Sequence, residues 1–178
     1  MNAMNDTEPK EAAVAGGDAV DAIREQWAAV RPDLETLPME VYGRIYRLAA
    51  VMGDRVGRAY APFGLSRGEF DVLATLRRSG EPYTLSPREL AATLMLTTGG
   101  MTGRLDKLER RGLLARHPDP DDRRALRVTL TEQGLAVVEE SVGAGLAAQR
   151  AAVDAALTPE EAADLAGLLR KLLRATEG

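Results

Sequence analysis

With 178 residues, 45% apolar but only 4% aromatic, the chain is long enough for one domain with an ordinary core, and its abundant Ala and Leu favour helix over sheet. The absence of Cys excludes disulfides, thiolate metal sites and a catalytic or redox-sensing thiol, and no apolar run reaches the length of a membrane span. A net charge of −4 excludes a generally adhesive polycation, so any affinity for a polyanion must come from local clustering of base.

Residues 1 to about 18, rich in Ala, Gly and acid without apolar periodicity, read as a disordered arm. Met1 to Lys10 lacks the basic-then-apolar order of an export signal, so a cytoplasmic location is expected. Asp18 caps a short helix in which Val20, Ile23, Trp27 and Val30 recur at helical spacing until Pro32. A long helix runs from Pro38 to about Tyr60, striped with Val41, Ile45, Leu48, Met52, Val56 and Ala59, and is stopped by Pro62 and Gly64. Ser66 caps a third helix reaching about Arg78. Ser79-Gly-Glu-Pro82 breaks it, and Ser86 with Glu89 three residues on forms the capping box of a short fourth. Thr97 or Thr98 starts a fifth, whose inward face by angular count is Met101, Leu105 and Leu108 and which ends at Gly112. Leu113 to Arg116 and Ala125 to Leu130 alternate like strands about Pro118-Asp-Pro120, predicting a two-stranded wing with Arg123 and Arg124 at its tip. Thr131 opens a long helix to about Ala156. Thr158-Pro-Glu-Glu opens the last, with Leu165, Leu168, Leu169 and Leu172 on its apolar side.

This order of parts predicts a mainly α fold with a small β-wing: a winged helix-turn-helix at 63–130, between N-terminal helices at 19–62 and C-terminal helices at 131–178, all within one domain. It points to double-stranded DNA. Between Thr97 and Val128 the chain carries Arg104, Lys107, Arg110, Arg111, Arg116, Arg123, Arg124 and Arg127 against five acids, whereas residues 1 to 40 are acidic. The candidate contacts are Ser86, Thr97, Thr98 and Thr102, which can donate to phosphates or base edges. Gly99 and Gly100, with Gly103 beside them, would permit close approach to a groove wall, and Lys107 and Arg110 bring charge to phosphates. The competing reading of the helix is an ordinary solvated face, but outward glycines cost about 1 kcal/mol each against Ala and would gain nothing there. At the wing, Arg123 or Arg124 can enter a minor groove, or can brace the turn against Asp119, Asp121 or Asp122. A single reading head makes few contacts, so a homodimer on a pseudo-palindromic operator is expected, joined through the helices outside the head.

No catalytic constellation, metal site or cofactor motif is visible: His117 is the lone His, and no glycine-rich phosphate loop joins strand to helix. A helical interaction module without DNA binding is the alternative of another class, and the Thr, Gly and basic features of the reading helix count against it.

The order of helices, the Asp121-Asp-Arg-Arg124 wing tip and the Leu130-Thr131 junction into a long helix resemble the multiple-antibiotic-resistance (MarR) family of bacterial regulators over residues 20 to 175. Trp27-Ala-Ala-Val-Arg-Pro-Asp-Leu-Glu-Thr-Leu-Pro-Met39 and Arg77-Arg-Ser-Gly-Glu-Pro-Tyr83 resemble its urate-responsive branch, which has an added N-terminal helix bearing a Trp. The resemblance implies repression relieved by a small aromatic anion, most simply urate, held by Trp27, Asp71, Arg104 and Arg116. An aromatic wall and guanidinium forks suit a planar anion, and a carboxylate beside it would be repelled. Other readings of these residues stay open. Trp27 is also placed to pack on the Ile23/Val30 stripe, Asp71 and Arg116 also read as a structural ion pair, Arg104 as a phosphate contact, and another phenolic or purine ligand suits the same basic cleft.

Overall fold

The computed structural model describes residues 16–94, 100–120, 122 and 125–177. The expected arm at 1–18 therefore lies mostly outside the described residues. Contacts divide the chain into two compact units, one up to Val51 and one from Met52 onward.

In the first unit, α1 (Ala19–Val30) and the leading part of α2 (Leu37–Tyr60) are tied by charge. Asp18 accepts from the Val20 and Asp21 amides at 2.7 and 3.1 Å, and Asp21 returns the bond to the Asp18 amide at 2.9 Å, a capping box with Asp in the third position. Arg44 of α2 then donates to Asp18 at 2.9 Å and to Asp21 at 2.8 Å, so the cap of α1 is also its attachment. Val20 is buried against Gly43, where a side chain would crowd it.

The second unit is built around α3 (Arg67–Arg78), whose residues 71–76 are all buried and which packs against α4 (Pro87–Thr93), α5 (Met101–Arg110), α6 (Glu132–Asp154) and the sheet. Val72, Leu73 and Leu76 meet Leu90, Leu105, Leu108, Leu113, Leu114, Val128, Leu130 and Val138 in one apolar core. Ser86 and Glu89 cap α4 reciprocally, as the spacing predicts, and Ser66, expected as the cap of α3, forms the same box with Glu69. Helix α7 (Pro159–Glu177) carries its apolar side largely exposed, including Leu165, Leu168 and Leu169. No helix of the described residues is long and apolar enough to cross a membrane.

Two expectations need correction. The two wing strands pair as expected, β2 (Leu114–Pro118) with β3 (Leu126–Leu130), but the sheet has a third, unexpected member, β1 (Thr84–Leu85), giving the antiparallel order β1-β3-β2. A strand of two residues is too short to show a period of two, so nothing in the alternation of residues announces β1. Helix α5 begins at Met101, after Gly100, instead of at Thr97 or Thr98. Gly100 takes φ +75, which ends any helical run there and which side chains with a Cβ adopt at a cost. Its glycine therefore has a backbone reason independent of a groove wall.

Candidate nucleic-acid and ligand site

Helix α5 presents two faces. Leu105 and Leu108 are buried and Met101 packs against the core, as the angular count predicts, while Thr102, Gly103, Lys107 and Arg110 reach the surface. A Cβ on Gly103 would meet nothing within 4 Å, so no packing within the described chain requires a glycine at this helical position. Arg110 donates back to the Asp106 carbonyl at 3.3 Å. Thr97, Thr98, Gly99, Arg123 and Arg124, expected to touch DNA, lie outside the described residues. Ser86 faces the surface region as the cap of α4, its hydroxyl accepting from the Glu89 amide at 3.2 Å.

The charges of α5 are largely consumed inside the protein. Lys107 places its ammonium 2.7 Å from Oε1 of Glu69 on α3, a carboxylate only 2% exposed. Burial opposes ionisation of Glu69, but the Lys107 ammonium and the Ser66 amide and hydroxyl outweigh it, holding the carboxyl below its ordinary range. On the other side, Arg116 of β2 donates from Nη1 to Asp106 at 2.8 Å and from Nε to Glu109 at 2.9 Å, with a further contact from Nη2 to Glu109. The Arg116 hydrogen bonds hold the Glu109 carboxyl low and, reciprocally, raise the guanidinium. The ion pair of Arg116 is thus with Asp106 and Glu109, rather than with Asp71. Spacing conceals this arrangement because it depends on β2 turning back along α5.

The four residues that the resemblance assigns to a ligand are distributed as follows. Arg104 leaves α5 and lies across α3 at Gly68, where a Cβ would come within 2.6 Å of its Nε. Asp71, 5% exposed, stands one helical turn further along α3. Arg116 is half-buried on β2 against α5. These three share the second unit. Trp27 stands on α1 of the first unit, 43% exposed, its carbonyl accepting from the Arg31 amide at 2.7 Å.

Sequence reasoning missed Glu69, Asp106 and Glu109 as the acids that organise this region, and Gly68 as the seat of Arg104. The signal for Glu69 was present in the capping box Ser66-Arg-Gly-Glu69, which places a carboxylate at a helix start but does not reveal its second partner. The wing base has a similar brace: Arg127 donates to Asp119 at 2.6 Å and to the α4 cap residue Glu89 at 3.2 Å. Elsewhere, a cleft of about 460 Å³ opens between α3 and α6, floored by Tyr60, Phe70 and Val138 and rimmed by Arg77, Arg78 and Glu139.

Residues 63–125, which span α3 to the wing, match the MarR family. Over 123 residues the chain is 40% identical to the HTH-type transcriptional regulator PecS of Dickeya dadantii, covering 69% of this chain and 74% of that protein. A mutant of MarR from E. coli, solved in complex with operator DNA, superposes with a TM-score of 0.67 at 26% identity, covering 83% of this chain and 97% of that one. BpsR of Bordetella bronchiseptica, whose DNA binding is regulated by 6-hydroxynicotinic acid, superposes at 0.66 with 29% identity, over 74% of this chain and 91% of that one. An α3-α4-α5 head with a three-stranded wing, and likeness to PecS over most of its length, lead to one conclusion: the chain belongs to the MarR family and is a DNA-binding transcriptional regulator.

Proposed function

We propose that this regulator is a homodimeric repressor that holds a pseudo-palindromic operator through α5 and the wing and is released by a small aromatic anion, urate being the first candidate. The observation that carries the reading is the position of Arg116: a half-buried guanidinium held by two carboxylates of the reading helix itself. An anion that takes Arg116 must compete with Asp106 and Glu109, so its binding loosens α5 from β2 and lowers DNA affinity by linkage. Likeness to PecS and to a protein regulated by 6-hydroxynicotinic acid, itself a planar aromatic acid, supports this ligand class. Outward glycine at Gly103 supports α5 as the DNA face. The exposed leucines of α7 support a dimer, because an apolar face of that extent is ordinarily covered. The domain reading stays as the sequence suggests it, with reading head at 63–130 and partner helices on both sides.

A second reading has the anion enter the α3–α6 cleft, favoured by its apolar floor and guanidinium rim. Titration of the purified protein on DNA from its own upstream region, at fixed salt, with urate and salicylate tests both. Release by urate that Trp27→Ala abolishes with DNA binding intact, and that Arg116→Ala abolishes in whatever DNA binding it retains, supports the first. Release insensitive to both substitutions but blocked by Val142→Trp, at a residue of α6 that lines the cleft, supports the second. Binding indifferent to either anion discards the ligand and keeps the regulator.

A further inference from the structure

We propose that Glu69 is a positioning residue for DNA reading, fixing helix α5 on α3 through Lys107, and that Lys107 acts as this tether instead of as a phosphate contact. Glu69 arises from a helix whose following residues form the core, so its origin is fixed. Both of its oxygens are used: Oε2 accepts from the Ser66 amide at 2.7 Å and Oε1 takes the Lys107 ammonium at 2.7 Å. A carboxylate this deeply buried requires a cation, and the one beside it belongs to the reading helix. Adjacent residues of α5 are thereby pulled in two directions, Lys107 to α3 and Asp106 to Arg116 on β2. Two tethers about 100° apart around a helix fix its rotation as well as its position. Thr102 and Gly103, one turn earlier, are aimed by that rotation.

The inference rests on α5 being the DNA-reading helix, and the test separates the two. A duplex selected from a random pool by the purified full-length protein and a scrambled duplex of equal length serve as probes over a series of salt concentrations. Gln at position 69 can still close the capping box, so Glu69→Gln removes the charge and leaves the cap. Glu69→Gln and Lys107→Met are each expected to lose tenfold or more on the selected duplex, to bind the scrambled duplex as the parent does, and to lose no more when combined. The dependence of log affinity on log salt stays the same, because no phosphate contact has been removed. A loss that Lys107→Met shows on both duplexes, with the salt slope falling by about 0.9, or losses that add in the double variant, overturn the proposal. Should Glu69→Gln fail to fold by circular dichroism, the exposed Lys107→Met decides the matter alone through slope and specificity ratio. If Thr102→Ala and Arg110→Ala leave both duplexes bound as before, it is the assignment of α5 to DNA that fails, and the tether proposal with it.

Discussion

Arg116 of β2 and Glu109 of α5 are joined through both backbone and side chain: the Arg116 amide donates to Oε1 at 3.0 Å, and its Nε donates to Oε2 at 2.9 Å. The strand and the reading helix are therefore held by the same residue that the ligand reading needs. Glu109→Gln keeps an acceptor for the amide but weakens the hold on the guanidinium, leaving Asp106 as the main competitor for an anion. Urate should then bind about two- to fivefold more tightly by calorimetry, the range of a partly exposed ion pair, while DNA affinity falls. Unchanged urate affinity would remove Arg116 from the ligand site.

Acid should undo the docking of α5 in a defined window. The carboxyls of Glu69 and Glu109 are both held below their ordinary values, Glu69 despite its burial and Glu109 chiefly by Arg116. Groups of this kind stabilise the fold fully above the unfolded value, about 4.3 for Glu, and lose that contribution as pH falls through the lowered folded value. The thermal midpoint should thus be insensitive to these two groups between pH 8 and 5.5 and fall below about pH 4, less steeply in Glu69→Gln than in the parent. A parent and variant with parallel profiles would refute the assignment.

Gly103 separates stability from binding. Since a Cβ there meets open space, Gly103→Ala should raise helix stability by up to about 1 kcal/mol, visible as a higher unfolding midpoint. Affinity for the selected DNA should nevertheless fall, because the added methyl stands on the face proposed to approach the groove. A stabilised variant with undiminished affinity places the DNA elsewhere.

Gly145 should be intolerant for the opposite reason. Its missing side chain houses the hydroxyl of Tyr60, buried on α2 and stacked on Phe70 with ring centroids 3.9 Å apart. Gly145→Ala should cost about 1–3 kcal/mol in denaturant unfolding, and Tyr60→Phe in that background should recover part of it. A Gly145→Ala variant as stable as the parent would show that the Tyr60 ring gives way to the added methyl at little cost.

The helices were legible because each declares itself locally: the Ser66 cap, Ser86 with Glu89, and the Leu105/Leu108 face need only a few neighbouring residues to be read. Partnerships across elements were not. Lys107 and Asp106 lie on the outer side of α5 by angular count, and read alone that side belongs to solvent or DNA. Only the placement of α3 and the return of β2 bring Glu69 and Arg116 against them. Strand β1 escaped for the same reason, since Thr84 and Leu85 become a strand by pairing with Thr129 and Val128, more than forty residues away.

The internal pairing of Lys107 and Arg116 has a kinetic consequence. A chain of net charge −4 that commits these cations to its own carboxylates keeps fewer of them for random duplex, where attraction scales with the counterions displaced. Such a regulator should dwell only briefly at wrong sequences. Its search of a genome should thereby be limited more by encounter than by escape, which its residence time on a scrambled duplex would show.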